Sequence, residues 1–175
     1  MMNALLKPFI ALSAIGLILS IIVHVIALTG GQVLYGNYAW GLHIGIFIVW
    51  IPAVLVSQRY TRDFKQKDWW KAALRGCPTW MKYMTYSFFG YAVVNFIIFM
   101  VIMQSMGKGT TGNNASQFRG FSGHWMAFYS VGLSILYSAT KTESFDKSRK
   151  CRNGHAVSPL AKFCEECGAA IIDKN

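Results

Sequence analysis

The sequence predicts an all-α membrane protein in which a four-transmembrane-helix bundle is followed by a short cysteine-rich segment. Of its 175 residues 54% are hydrophobic and only 14% are charged, whereas soluble domains carry about a quarter charged residues. Charges are absent from four stretches: residues 8–28, 31–58, 83–107 and 120–140. Each stretch can hold a span of about 20 apolar residues. Three of the four cysteines lie together after residue 150.

These stretches define four predicted transmembrane helices. Their approximate bounds are 6–28, 38–58, 83–105 and 121–140. A soluble protein is the weaker interpretation, because its helices would have almost no polar face. The first stretch is longer than the apolar core of a signal peptide and has no clear cleavage site, so we expect a permanent helix. The predicted parts of the chain are a transmembrane domain over 1–140, a linker over 141–150 and a module over 151–172.

The basic residues predict the orientation of the bundle. Fifteen of the 17 lysines and arginines lie at Lys7, in the connection 59–82 or after residue 140, and only Lys108 and Arg119 lie in the opposite connections. Because loops rich in Lys and Arg stay in the cytoplasm, we expect both termini and the cysteine-rich segment to be cytoplasmic, in a plasma membrane of the bacterial inner-membrane type. We attribute the net charge of +10 to this topology and to attraction to lipid headgroups, and expect no nucleic-acid partner.

The connection between the second and third spans is predicted to contain an interfacial helix. Residues 63–75 place Trp69, Trp70 and Leu74 among basic side chains, which is typical of a helix lying on a membrane surface. A Gly-Cys-Pro run at 76–78 would end this helix. We therefore expect the connection to lie against the cytoplasmic face of the membrane.

Small and polar residues recur every three or four positions on two spans and predict the faces along which the helices pack. Helices in lipid associate through such residues, because they allow close approach and hydrogen bonds between helices. The stripe on the first span is Ser13, Gly16, Ser20, His24 and Ala27. The stripe on the fourth span is Gly123, Ala127, Ser130, Ser134 and Ser138. Asn95, near the middle of the third span, is an intramembrane polar residue for which we expect a hydrogen bond within the bundle.

Three histidines lie near the outer ends of the predicted spans. His24 ends the first span, His43 begins the second and His124 begins the fourth. Intramembrane histidines can bind haem or a metal or carry protons, but interfacial histidines also hydrogen-bond to water, lipid or backbone. Helical geometry favours the second interpretation, since His43 points away from the glycines of its helix and His124 lies off the stripe of its own. His24 is the one that falls on a polar stripe.

The cysteine-rich segment carries four residues at metal-ligand spacing. Cys164 and Cys167 form a C-x-x-C pair followed by Gly168, and Cys151 and His155 can supply the other two corners of a tetrahedron. Two thiolates at this spacing hold one ion while the glycine relieves backbone strain. Structural Zn²⁺ is favoured over two alternatives: a redox pair would need a thioredoxin-like βαβ setting, and a rubredoxin-like iron site would need a fourth cysteine.

The segment resembles the small zinc-ribbon family found at the ends of many bacterial membrane and regulatory proteins. The resemblance covers residues 150–172 and is carried by the run K-F-C-E-E-C-G-A at 162–169, which matches the family's K-F-C-x-x-C-G. The first knuckle departs from the family pattern, because the run C-R-N-G-H at 151–155 has a histidine and no second cysteine. So short a module folds on its metal, and we expect Phe163 and Ile171 to pack beside the ion.

The sequence supports three hypotheses for function. The leading one is a non-enzymatic accessory, assembly or interaction subunit of a membrane complex, with the bilayer and other membrane subunits or further copies of the chain as partners. It rests on the closed metal set and on the lack of a recognisable catalytic constellation, so no catalytic residue is assigned. The alternatives are a haem- or metal-binding electron-transfer subunit that uses two of the three histidines, and a small oligomeric channel or transporter that uses Asn95 and the serine stripes.

Overall fold

Four long helices make up most of the computed structural model, which describes residues 2–31, 36–105 and 114–171. In chain order the helices are α1 (Met2–Leu28), α2 (Gly36–Ala39), α3 (Gly41–Thr61), α4 (Trp69–Ala73), α5 (Thr79–Ser105) and α6 (Asn114–Ser148). A 3₁₀ turn over Gln66–Asp68 precedes α4. Up to Ser148 the regular elements of the described chain are all helices, and the described chain contains no strand, only two isolated β-bridges in its C-terminal part.

Three of the long helices are apolar and long enough to cross a membrane. The segments are Ala4–Leu28, Gly41–Thr61 and Thr79–Ile102. Their outer faces carry large exposed apolar side chains, such as Ile18, Ile51 and Phe96. The chain therefore has the character of a membrane protein. The fourth predicted span lies within α6, which is not among these three apolar helices.

Helix α6 is less apolar because it lies at the centre of the bundle. It packs against α1 and α3 on one side and against α5 on the other. Between residues 121 and 140 only His124 is exposed. Four serines of this segment are fully buried: Ser122, Ser130, Ser134 and Ser138. A helix that neighbouring helices cover has little need of lipid-facing apolar residues, and its small side chains allow close packing.

Tyr129 joins α6 to both α1 and α3. Its buried ring lies against Gly16 of α1, where an added Cβ would come within 2.3 Å of the ring. Its hydroxyl donates a 2.7 Å hydrogen bond to the carbonyl of Leu42 in α3. The first-span stripe thus packs at Gly16 against an aromatic ring, and glycine is the residue that leaves room for it.

The structure differs from the sequence-based prediction at the linker. Residues 141–150 were expected to be a polar connection, but α6 continues through them as far as Ser148. Thr142 is buried there, and its hydroxyl donates to the carbonyl of Ser138 at 2.8 Å. The added turns are stabilised by the tertiary packing of α6. The polarity of residues 141–150 alone gives no information about that packing and therefore did not predict the extension.

The connection between α3 and α5 also differs from the prediction. In place of one interfacial helix it forms the 3₁₀ turn and the short α4, and Leu74 is 0% exposed within the protein core. The next residue, Arg75, is only 6% exposed and donates to Asp146 of α6 at 2.9 Å. Arg75 also donates to the backbone carbonyls of Tyr60 and Ala72. These bonds fold the connection against the end of α6, so that Leu74 packs on protein.

Candidate metal centre

Two backbone knuckles position the four candidate ligands. The amide of Gly154 donates to the carbonyl of Cys151, and the amide of Gly168 donates to that of Cys164, both at 2.9 Å. The two glycines have positive φ values, 86° and 69°, which a residue with a side chain adopts only with strain. Gly154 lies between the two ligands of the first half-site and Gly168 directly follows those of the second, so each glycine allows the chain to turn beside its pair of ligands.

A short antiparallel bridge closes each knuckle. Lys150 pairs with Ala156 in the first knuckle, and Phe163 pairs with Ala170 in the second. Inside each bridge the amide of the first cysteine donates across the turn, at 2.9 Å in the first knuckle and 2.8 Å in the second. The two half-sites are thus built alike, although the first ends in a histidine and the second in a cysteine.

The four donor atoms have the spacing of a tetrahedral metal site. The Sγ atoms of Cys151 and Cys167 lie 3.7 Å apart, and Cys164 Sγ lies 3.7 Å from His155 Nδ1. All four donors lie within 4.8 Å of one another. Zn–S bonds of about 2.3 Å in a tetrahedron separate two sulfurs by about 3.8 Å. These residues therefore form a cluster that can bind a metal ion, with Nδ1 as the imidazole donor, and they fit zinc.

Hydrogen bonds in the knuckles favour the thiolate form of two of the cysteines. Burial acts to raise the pKa of Cys151, but hydrogen bonds from the amides of Asn153 and His155, together with those to the neighbouring thiols, lower it, and the net shift is downward. Cys164 has a lowered pKa for the same reasons, with the donors on Cys167 and Glu166. Because metals bind the thiolate, these amides prepare the site for an ion.

Cys167 behaves differently within the same cluster. The amide of Ala169 lowers its pKa, but burial and the neighbouring thiols of Cys164 and Cys151 raise it, so that the net shift is upward. Three thiols this close cannot all ionise without a compensating positive charge. A divalent ion held by the cluster would supply that charge and would hold all three as thiolates.

The structure corrects the expected position of Phe163. Its side chain is 62% exposed and does not pack beside the cluster. Phe163 lies in a bridge immediately before Cys164, and successive side chains on an extended segment point to opposite sides. Since Cys164 points to the cluster, Phe163 must point away from it. Ile171 is half-buried and lines a cavity between the C-terminal module and the helices.

His24 lies buried in the bundle, with both ring nitrogens hydrogen-bonded. Nδ1 is 2.8 Å from the hydroxyl of Ser122, and Nε2 is 2.5 Å from that of Tyr91. Ser122 uses its own proton on the carbonyl of Phe118. Nδ1 must then donate to Ser122, and Nε2 must accept from Tyr91. Ligation of an iron by His24 would have to displace one of these partners.

His43 and His124 lie beside each other, apart from His24. Their rings stack with centroids 6.4 Å apart, and His43 Nδ1 accepts a 3.1 Å hydrogen bond from the indole of Trp125. His43 is half-buried and His124 is exposed. The three histidines predicted as a possible cofactor site therefore divide into one buried network and one surface pair. Asn95 donates to the carbonyls of Arg119 and Gly120 at 2.9 and 3.4 Å.

Several residues of these networks could not be assigned from sequence. Tyr91 and Ser122 lie 67 and 98 positions from His24, and Asp146 lies 71 positions from Arg75. Spacing reports only neighbours on one helix or turn, so partners on different helices leave no periodic signal. The cysteine cluster could be predicted from the sequence because the two ligands of each half-site lie within five residues of each other.

Comparison of the chain with protein-family models, curated proteins and solved structures finds no match. Its function is therefore inferred from its own chemistry, above all from the four converging donors at Cys151, His155, Cys164 and Cys167.

Proposed function

We propose that the chain is a non-enzymatic, multi-pass protein of the bacterial inner membrane that serves as an accessory or assembly subunit of a membrane complex. Its cytoplasmic C-terminal part is a structural zinc module of the zinc-ribbon type. The observation that carries the proposal is the closed set of four donors at tetrahedral spacing. A zinc ion with four protein ligands has no open position for a substrate, so its role is to hold the module folded.

The position of α6 supports a fourth transmembrane span. The helix is enclosed by α1, α3 and α5, each of which contains a segment apolar enough to cross a bilayer. A helix enclosed by membrane-crossing helices shares their environment, whatever its own hydropathy. Four crossings return the chain to the side from which it began, and the distribution of basic residues makes that side the cytoplasm.

The surface of the zinc module supports a role in interaction. Phe163 projects from it with most of its ring exposed, and Glu165 and Glu166 beside it are exposed as well. An aromatic side chain with a polar rim is a frequent anchor in protein interfaces. The partner is another membrane subunit or a second copy of the chain.

The internal polar network argues against hydrolytic catalysis in the bundle. A serine nucleophile needs a base that accepts its proton, but the Ser122 proton is bonded to the carbonyl of Phe118 and His24 faces Ser122 as a donor. Among the described residues no carboxylate hydrogen-bonds to His24. The network therefore serves to hold α1, α5 and α6 together.

The test compares the full chain with Cys164→Ser and with a form truncated after Ser148, each purified in native form from membranes. We expect one zinc per full-length chain by elemental analysis, and loss of both zinc and co-purifying subunits in the two altered forms. Cys77→Ser is the matched control, because Cys77 lies outside the cluster, and it should keep both. Absence of zinc from the full chain would refute the metal site, and an unchanged set of partners and oligomeric state after truncation would refute the interaction role.

The same preparation tests the electron-transfer alternative. Two histidine ligands to haem would produce a Soret band in the absorption spectrum. We expect none, because His24 is bonded through both nitrogens to Ser122 and Tyr91, and His43 accepts from Trp125 while its ring stacks against that of His124. A Soret band that disappears in His43→Gln or His124→Gln would favour a haem subunit.

A further inference from the structure

A cavity of about 790 Å³ lies between the C-terminal module and the ends of α5 and α6. The 3₁₀ turn and α4 complete its walls, and its volume falls in the range of small-molecule sites, roughly 300–1,000 Å³. The lining is strongly basic, and among the residues that the structure describes Asp68 is its one acidic member. The cations that line it are Lys67, Lys71, Arg75, Lys82, Arg149 and Lys162.

Three of these cations already serve the structure. Arg75 is held by the buried ion pair described above. Lys71 lies 3.5 Å from Asp68. Arg149 donates hydrogen bonds to backbone carbonyls of residues 158–161 and so shapes the wall that the module contributes. These three already have partners in the protein and are not the groups best suited to bind a ligand.

The other three cations, Lys67, Lys82 and Lys162, converge on the cavity from three different parts of the chain. Within the described residues none of them forms a salt bridge with a carboxylate. Ammonium groups around a partly enclosed space repel one another, and apolar walls such as Leu74 and Leu160 strengthen the repulsion. An anion with more than one negative oxygen would relieve it.

We propose that this cavity binds a phosphate-bearing anion through Lys67, Lys82 and Lys162. Each ammonium group offers three donors and a full charge, which suits the several oxygens of a phosphate. The ligand is either the headgroup of an anionic lipid or a soluble phosphorylated small molecule. The proposal rests on the module being folded over the helix ends, and therefore on the proposed metal site.

The position of Tyr86 connects the cavity with the bilayer. Tyr86 lines the cavity one helical turn after Lys82, and about half of its surface is exposed on the outer face of α5. Tyrosines at such positions mark the level of lipid headgroups. Basic pockets at the cytoplasmic ends of transmembrane helices bind acidic headgroups.

The test uses two triple variants that remove the same charge. The cavity variant is Lys67→Gln, Lys82→Gln and Lys162→Gln. The control variant is Arg62→Gln, Lys65→Gln and Lys141→Gln, whose three side chains are exposed and do not line the cavity. A further variant, Leu160→Trp, narrows the cavity without changing the charge. Zinc content and elution volume on gel filtration show that each variant is folded.

Binding is measured in two arms with the purified full chain. The lipid arm compares retention of phosphatidylglycerol and phosphatidylcholine by native mass spectrometry after reconstitution in mixed bilayers. The soluble arm titrates inorganic pyrophosphate into protein in detergent. In the arm that contains the physiological type of ligand we expect the cavity variant to bind the probe on the order of tenfold more weakly, or worse. Leu160→Trp should also bind more weakly. The affinity of the control variant should stay within about twofold of that of the unaltered chain.

Each outcome bears on the proposal. A selective loss in the lipid arm identifies a headgroup site, and a selective loss in the soluble arm identifies a site for a soluble phosphate compound. Equal weakening in both triple variants overturns the proposal, because the effect then reports only general surface charge. No binding by the unaltered chain in either arm overturns it as well. If the chain holds zinc and its partners but the cavity variant binds like the control, this inference fails and the proposed function stands.

Discussion

Cys77 and the cysteines of the metal cluster show how their surroundings decide the chemistry of a thiol. Cys77 is buried, and its Sγ lies 3.0 Å from the carbonyl of Ser134 in α6. Burial raises the pKa of the Cys77 thiol to about 12, whereas Cys151 and Cys164 have lowered pKa values. Cys77 is therefore a packing residue, and the sequence alone shows only that it lies apart from the cluster.

We predict that Cys77 in the folded protein is inert to iodoacetamide at pH 8. With a pKa of about 12 only about one thiol in ten thousand is ionised at that pH, and the thiolate is the reactive form. The rate should rise about tenfold per pH unit until the pH approaches the pKa. Mass spectrometry of the peptide that contains Cys77 measures the reaction, and rapid labelling of folded protein at pH 8 would contradict the prediction.

The same shift has a consequence for stability. The pKa of Cys77 in the folded chain lies above its ordinary value of 9.0, so folding favours the neutral thiol. The stabilisation is fully present below pH 9 and is lost as the pH rises from about 9 towards about 12. Alkaline destabilisation in this range should be weaker in Cys77→Ser, measured as the midpoint of thermal unfolding in detergent.

At the scale of the helices, the bundle depends on close approach to α6. Gly16 faces the buried ring of Tyr129, and Thr85 of α5 shares a 2.6 Å hydrogen bond with Ser134. Both contacts involve small or short polar residues of the kind that associate helices in lipid. The stripe on the first span was predictable from the sequence because its period is local, but the ring that packs against it was not.

Gly16→Ala should destabilise the bundle by about 1–3 kcal/mol, because the added methyl overlaps a ring that is itself enclosed. Gly90→Ala is the matched control, since an added Cβ at Gly90 meets no atom within 4 Å. Thermal unfolding of the two variants in the same detergent, followed by circular dichroism, measures the difference. Equal melting temperatures for Gly16→Ala and Gly90→Ala would show that the contact with Tyr129 is unimportant.

The ion pair between Arg75 and Asp146 holds the connection before α5 against the end of α6. Asp146→Asn leaves a guanidinium that is only 6% exposed without its countercharge, and we expect a loss of roughly 2 kcal/mol or more. Asp68→Asn is the control, because the 3.5 Å pair with Lys71 has a lysine side chain that is 70% exposed and should contribute less than about 1 kcal/mol. Denaturant unfolding compares the two variants, and a similar loss in both would contradict the structural role of the buried pair.

At the scale of the whole molecule, the fold places the C-terminal module on the ends of the helices that carry the basic connection. We predict that an epitope tag after residue 175 is digested in inside-out vesicles and protected in sealed right-side-out vesicles, because both termini are proposed to be cytoplasmic. A tag inserted near Lys108 should show the opposite pattern. Digestion of both tags in the same type of vesicle would rule out four crossings.

The apolar helices and the cluster of three cysteines and a histidine were both predictable from the sequence because each depends on residues close together in the chain. The hydropathy of a span is local, and each half of the cluster is a single turn that contains a glycine or is directly followed by one. The extension of α6 and the burial of Leu74 were missed, because both involve contacts between segments far apart in the chain, such as that of Arg75 with Asp146 across 71 positions. The partners of His24 and the convergence of Lys67, Lys82 and Lys162 could not be predicted either, because these residues also lie far apart in the chain.

Composition and short-range spacing were enough to establish a helical, membrane-type chain and to identify four donors for one ion. Packing alone decided that the least apolar of the long helices occupies the centre, that His24 bonds to Ser122 and Tyr91, and that the module forms one wall of a basic cavity. The physical reason is the distance along the chain over which each effect acts. Hydrophobicity and turn geometry act within a few residues, whereas burial and charge pairing depend on which distant segments meet.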